Sequence, residues 1–351
     1  MSLFCVPQSQ NDLVRNNDYN KAMLQAQSIS VSSNYILGIN ITAEEIILAY
    51  GNQSGIISER SSFKPEANQS FQNFLGLVSQ HSDKLLNIAR AQHLPLPERI
   101  SVSVAGNYDS QLGVVISSRD FPAWKGEPLK SQLQLLFNLP VYIEKNAAAG
   151  AQAESLFGIA QDLRDFMFID LGHRLSMAFS TQAKIISPKN PHAGAIGRVR
   201  LCQGKDTGNE LPPTLNELCS APGIVQQALT TQLSHWDPEV SIYQIINAAR
   251  NADPYAIEIL SKAGTSLGHH LAPYIHLLRP EAIVLGFPGA LAGEIFSEPV
   301  FKAAQDSAGL GLDEMPKIIP SALGNRLPDL QALAPAIYTS RHQTGNNSNN
   351  R

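Results

Sequence analysis

Three histidines and three cysteines are the first places to look for chemistry in these 351 residues. His269, His270 and His276 fall on one predicted helix with no carboxylate or cysteine partner to complete a metal set, so they read as packed or surface side chains. Cys5, Cys202 and Cys219 are odd in number and widely spaced. That pattern is no disulfide framework and fits a reducing compartment. The chain contains no G-x-S-x-G nucleophile elbow, no C-x-x-C pair and no G-x-x-x-x-G-K-[ST] phosphate loop.

Composition narrows the classes further. Hydrophobic residues make up 43%, charged residues only 16%, and the formal charge is -4. No block of like charge occurs, which argues against a nucleic-acid surface, since phosphate binding needs clustered Lys and Arg. The N-terminus lacks a basic region followed by an apolar core, and no apolar stretch reaches the roughly 20 residues that span a bilayer. A soluble cytoplasmic protein with no membrane partner is expected.

The elements that must position any site follow an α/β pattern built twice. Tyr35 to Ile41, Ile46 to Gly51 and Ile56 to Ser62 read as strands, the last two joined by a turn at Asn52 to Ser54. Ser70 to Gln92 carries apolar residues at helical spacing. A strand at Ile100 to Ala105, a helix at Leu129 to Phe137, a strand at Val141 to Ile143 and a helix at Ala147 to Phe157 follow. A second strand–hairpin unit begins at Phe166 to Leu171, with partners at Ser176 to Thr181 and Ala183 to Ser187. Helices are expected at Ala221 to Leu233, Ile242 to Ala249, Pro254 to Leu278 and Leu291 to Ala308. Strands are expected at Ala282 to Leu285 and Ile318 to Pro320, with a closing helix at Asp329 to Tyr338. Residues 1–33 read as a flexible lead-in with one short helix around Asn20 to Ala26. Residues 341–351, with the GNNSNN stretch, read as a disordered tail.

Several segments resemble the ROK group of sugar kinases and sugar-responsive repressors. SVSVAGNYDSQLGVVISSRDFPAWKGEPL (Ser101 to Leu129) is similar to the family's strand, turn and Trp-bearing loop. LPVYIEKNAAAGAQAE (Leu139 to Glu154) resembles P-V-x-x-E-N-D-A-N-A-A-A-x-x-E, HAGAIGRVRL resembles A-G-E-I-G-H, and Ala252 to Gly286 resembles the family's long helix and following strand. The resemblance covers roughly residues 34 to 338. It implies a two-lobed actin-like ATPase (ribonuclease H-like) fold, each lobe a mixed sheet flanked by helices. The smaller lobe would span 34–145, the larger 146–326, and a helix at 327–340 would return to the first lobe.

The same resemblance places the chemistry, and each place is altered. The strand leading into D-x-G-G-T-K reads Gly38-Ile39-Asn40-Ile41-Thr42-Ala43-Glu44-Glu45, so Asn40 and Thr42 stand at phosphate-loop positions with both glycines gone. Glu44 and Glu45 would repel a triphosphate. The second loop, T-L-G-T-G-x-G, reads Asp170-Leu171-Gly172-His173-Arg174-Leu175-Ser176 and keeps Gly172 alone. Arg174 can meet an anion or be solvated; Asp170 is either an acid in the cleft or a turn former. Glu144-Lys145-Asn146 stands for E-N-D, which puts an amide, Asn146, at the catalytic base position, where it cannot take a proton near neutral pH. Loss of a general base typically costs on the order of 10²–10⁴-fold in rate. Lys145 replaces an Asn that binds sugar hydroxyls. Ala195 and Arg198 replace the sugar-binding Glu and His of A-G-E-I-G-H, and Asn216 replaces the Glu of C-L-E. The family's Cys-rich zinc segment is missing, so no metal is expected.

Three functions stay open on these residues. The first is a catalytically inactive ROK homologue that senses a sugar or pairs with a partner, with no cofactor. The second is an active hexose or N-acetylhexosamine kinase using ATP and Mg, with Glu144 or Asp170 as base. The third is a transcriptional regulator without its own DNA-binding domain, since about 33 polar residues before Tyr35 are too few for a helix-turn-helix domain. The resemblance also implies a homodimer.

Overall fold

The computed structural model describes residues 34–348, apart from 67, 187, 189, 201–210 and 231–235. The expected lead-in over 1–33 with its short helix, Cys5 and Cys202 lie outside the described residues. From Tyr35 onward the chain is one unit.

The first sheet is built from β1 (Tyr35–Ile41), β2 (Ile46–Asn52), β3 (Ile57–Phe63), β4 (Arg99–Val104) and β7 (Val141–Lys145), in the order β3-β2-β1-β4-β7. A separate small hairpin joins β5 (Asn107–Asp109) to β6 (Val114–Ser117). The second sheet repeats the pattern as β10-β9-β8-β11-β12 from β8 (Phe166–Asp170), β9 (Ser176–Thr181), β10 (Lys184–Ile185), β11 (Ala282–Leu285) and β12 (Lys317–Pro320). In both sheets an antiparallel meander is extended by two parallel strands. Parallel strands need covered faces, and helices supply them here.

The helices are α1 (Phe71–Ala91), α2 (Leu129–Phe137), α3 (Asn146–Phe157), α4 (Leu215–Cys219), α5 (Ala221–Thr230), α6 (Ile242–Arg250), α7 (Pro254–Leu278), α8 (Gly289–Ala292), α9 (Glu294–Ala308) and α10 (Leu327–Ser348). Ser70 caps α1 by accepting from Asn73 N at 3.1 Å, and Phe71, Phe74, Leu75, Val78, Leu85 and Ala89 form its buried stripe. Asp253 caps α7, with Pro254 in its first turn. A Cβ on Gly268 of α7 would stand 2.4 Å from Val300 O, so glycine lets α9 lie close against it.

Alternation along the strands sorts three cores. Leu37, Ile39 and Ile41 of β1 face the core under α1, and Met167 and Ile169 of β8 face the core of the second sheet's outer helices. Ile36, Phe166 and Phe168 face a middle core made with α3 and α10. The next inward-facing positions, two residues along from Gly38 and Phe168, are Asn40 and Asp170. The strand period thus aims both at the space between the sheets.

Several elements depart from the sequence reading, among them the short helix α4. The helix expected over Leu291 to Ala308 is broken at Gly293, whose φ of +62° ends α8 and starts α9. The β5–β6 hairpin was not expected; Asp109 Oδ1 accepts from Gln111 N and Leu112 N and makes the turn. Helix α10 continues to Ser348, past the end expected at residue 340. An established helix adds one hydrogen bond per further residue, so a polar composition does not stop it. Among the described residues no helix is long and apolar enough to cross a membrane.

Candidate functional site

A cleft of about 480 Å³ opens where the inner faces of the two sheets end. The structure brings Asn40, Thr42, Lys145, Asn146, Gly172 and Ala195 to its lining, together with Glu44, Glu45, Arg60, Asp120, Asp170, His173 and Arg174. Arg198 and Asn216 line an adjoining depression that shares His173 and Arg174 with it. Glu144 is not among the lining residues; its charge acts on Tyr108 and Tyr338, whose hydroxyls burial already holds above their ordinary range.

The first sheet's end of the cleft is acidic. Asn40 Nδ2 donates to Pro328 O at 3.2 Å, while its Oδ1 is buried with no partner. The turn after β1 closes on itself: Thr42 N donates to Glu45 O at 3.2 Å, and Thr42 Oγ1 accepts from Glu45 N at 3.1 Å. Arg60 binds Glu45 at 3.0 Å and Asp329 at 2.9 Å. Burial pushes the Asp329 carboxyl up against the opposing pull of Arg60.

Strand β7 ends in Lys145, and Asn146 opens α3. Ser103 Oγ donates to Asn146 Oδ1 at 2.7 Å, and Gln331 of α10 donates to Asn146 O at 2.6 Å. The side chain is therefore held as an amide accepting a hydrogen bond, without a proton-accepting carboxylate. Lys145 Nζ donates to Ala193 O at 2.8 Å and Pro191 O at 3.4 Å. Desolvation lowers its pKa, against the pull of Glu144.

At the second sheet's end, Asp170 keeps some exposed surface, yet protein encloses it closely enough that burial pushes its pKa up to about 7. The Gly172 N–H, donating to Oδ1 at 3.2 Å, opposes this, and Glu44 adds to it. His173 and Arg174 turn away to Asp120, which arrives from the first sheet's side. The contacts are 2.7 Å from His173 Nδ1 and 3.2 Å from Arg174 Nη2, with the Asp120 side chain only 3% exposed. Burial alone would raise the Asp120 pKa; the hydrogen bond and charge of His173, with Arg174, outweigh it and hold the carboxyl low. The same bond raises His173. Asn216 Oδ1 accepts from Leu175 N at 2.8 Å, and a Cβ on Gly197 would meet that oxygen at 2.1 Å, so Asn216 pins two turns together.

These residues do not fit a magnesium-bound triphosphate. A phosphate cradle needs free backbone N–H groups and positive charge. Here the Thr42–Glu45 turn uses the Thr42 and Glu45 N–H groups internally and presents two carboxylates, while the Arg174 and His173 side chains bind Asp120 instead of facing the cleft's acidic end. Among the described residues no group of three His, Cys, Asp or Glu could hold a metal ion. His269, His270 and His276 bind Ser307 Oγ, Ser266 O and Ala308 O, joining or packing α7.

Sequence reasoning missed Asp120, Arg60, Asp329 and Gln331. Asp120, Arg60 and Gln331 line the cleft and are held there by partners tens to hundreds of residues away, His173, Asp329 and Asn146. An Asp between Arg119 and Phe121, beside an anchored Trp, was the one local signal.

A match to the ROK family spans residues 36–328. The chain is 22% identical over 313 residues to the xylose repressor of Caldicellulosiruptor bescii, covering 86% of this chain and 78% of the relative. It is 22% identical over 246 residues to the glucokinase of Thermotoga maritima, covering 66% and 75%. Among solved structures, a ROK family glucokinase from Streptomyces griseus, in complex with glucose and AMPPNP, superposes with a TM-score of 0.71. The identity is 21%, over 86% of this chain and 99% of that one. A ROK family transcriptional regulator homologous to the Escherichia coli Mlc protein superposes with a TM-score of 0.73 at 21% identity, over 87% and 78%. With its two actin-like sheets and a family match over most of its length, this chain belongs to the ROK family.

Proposed function

We propose that this chain is a ligand-binding ROK protein, sugar-sensing or regulatory, that does not transfer phosphate. The observation that carries the reading is Asn146: at the position where the family resemblance puts the base, an amide accepts a hydrogen bond from Ser103. The acidic, self-closed turn at Thr42–Glu45 supports it from the nucleotide side.

A ligand in this cleft meets both sheets at once. Asn40 lines the cleft from β1, Lys145 from the end of β7 and Asn146 from the start of α3. Asp170 and Ser176 face them from the second sheet. A ligand that touches both walls favours the closed arrangement by its differential affinity, which is how a sensor without chemistry transmits occupancy. A homodimer in the cytoplasm completes the proposal.

Isothermal titration with a panel of hexoses and N-acetylhexosamines, beside an ADP-release assay on the same samples, tests it. Binding without ADP release is the expected result, and sugar-dependent release overturns it. One observation favours a second reading: Asp170, pushed up to about 7, has the pKa of a working base. Release abolished by Asp170→Asn would establish that kinase.

A further inference from the structure

The adjoining depression gathers cations. Arg119 reaches it from the loop before the turn Pro122–Trp124, Arg174 from the turn after β8, and Arg198 and Arg200 from the segment beside Thr214. Four of the chain's fourteen arginines line one depression, in a protein whose net charge is -4. Thr214, Asn216, Ser220 and Gln226 add polar side chains, and His173 closes the side toward the cleft.

The carboxylates nearby are already engaged. Glu217 caps α4 through Thr214 and stands 3.9 Å from Arg200, while Asp120 is bound by His173 and Arg174. Among the described residues, Arg119 and Arg198 pair with no carboxylate. Solvated arginines on an acidic protein are ordinarily interleaved with acids; here four face one lining Glu. A planar guanidinium matches phosphate or carboxylate through two parallel hydrogen bonds, so clustered arginines suit an anion.

The depression is continuous with the cleft through His173 and Arg174, which line both. A ligand can therefore hold a neutral ring against Ala195, Asn146 and Lys145 and an anionic group among the arginines. We infer that the ligand of this cleft is a phosphorylated sugar, its phosphate bound by Arg119 and Arg198, beside Arg174 and Arg200, which carboxylates already hold. The inference rests on the ligand-binding reading above and names the ligand class for it.

The test is titration of the full chain with hexoses, their phosphates and inorganic phosphate at low and raised salt. The variants are the double Arg119→Gln/Arg198→Gln, Arg198→Lys, and Arg250→Gln as a distant control. A sugar phosphate should bind at least about tenfold tighter than both its parent sugar and inorganic phosphate, and more weakly as salt rises. Charge-assisted bonds of this kind are worth roughly a ten- to hundredfold in affinity each. The double variant should erase the preference but keep affinity for the parent sugar, Arg198→Lys should fall between, and Arg250→Gln should change nothing. Equal binding of sugar and sugar phosphate overturns the inference and leaves the ligand-binding reading standing. So does a preference that survives in the double variant. Inorganic phosphate binding as tightly as any sugar phosphate overturns it too, because then no ring is recognised. Failure of every carbohydrate to bind overturns both, and sugar-dependent ADP release overturns only the reading beneath.

Discussion

Two turns hold matching places in the two sheets: Thr42 to Glu45 after β1, and Gly172 to Leu175 after β8. Each follows the first strand of its sheet, whose inward face ends in Asn40 in one case and Asp170 in the other. The first turn closes on its own backbone and shows Glu44 and Glu45 to the cleft. The second opens outward and commits His173 and Arg174 to Asp120 across the cleft. One topology thus supports a self-satisfied acidic lip and a basic latch. The difference teaches that the sheets fix where a turn sits, while the turn's charges decide what can enter beside it.

The comparison breaks most visibly if the loop opposite the basic turn is loosened. Trp124 is fully buried, stacks on Phe121 at 4.2 Å and donates to Gln69 O at 2.9 Å, which anchors the loop bearing Asp120. Trp124→Ala should cost about 3–5 kcal/mol in denaturant unfolding. It should also speed amide exchange in the 172–175 turn while leaving the 42–45 turn unchanged.

Replacing Asp170 sharpens the contrast between the strand ends. Its pKa is raised from 3.8 to about 7, so burial of its charge costs stability that appears as pH climbs from about 4 and is complete above 7. Asp170→Asn keeps an acceptor for the Gly172 N–H. It should raise stability by about 1–3 kcal/mol at pH 8 and by nothing near pH 4, read from melts across that range. The matching change at Asn40, which is already neutral, has no such pH profile.

The smallest effect isolates the latch. Asp120 is depressed, so its contribution holds above about pH 3.9 and fades as pH falls through its folded pKa. His173 is raised, so its contribution holds below about pH 6.5 and fades as pH rises through its folded pKa. The latch is complete between those limits. Asp120→Asn should cost about 1–2 kcal/mol there, discounted because its partners are a third exposed, and less above the His173 transition. A cost that does not change with pH would show that the carboxylate only fills space.

Much of the scaffold was legible because its signals are local. Asn52 before Gly55, Ser70 before Phe71 and Asp253 before Pro254 mark turns and helix starts within four residues. The position of Asn40 in the cleft follows from strand period alone once β1 is drawn. The break at Gly293 was not legible, since an isolated glycine inside an apolar pattern is often tolerated. Nor were the contacts of Asp120, Arg60 and Gln331, because each depends on a partner brought in by the sheets and by α10. The family resemblance named the altered positions; it could not reveal that Asn146 is held by Ser103 or that Lys145 binds the carbonyl of Ala193.

The measurement that tests the account most directly is ADP release by Asn146→Asp beside the unaltered protein, with Mg-ATP and a panel of sugars. Restoring a carboxylate at one position leaves the acidic lip and the occupied latch in place, so both proteins are predicted to release no ADP in response to any sugar. Turnover gained by this one substitution would contradict the claim that the cleft no longer accommodates a nucleotide.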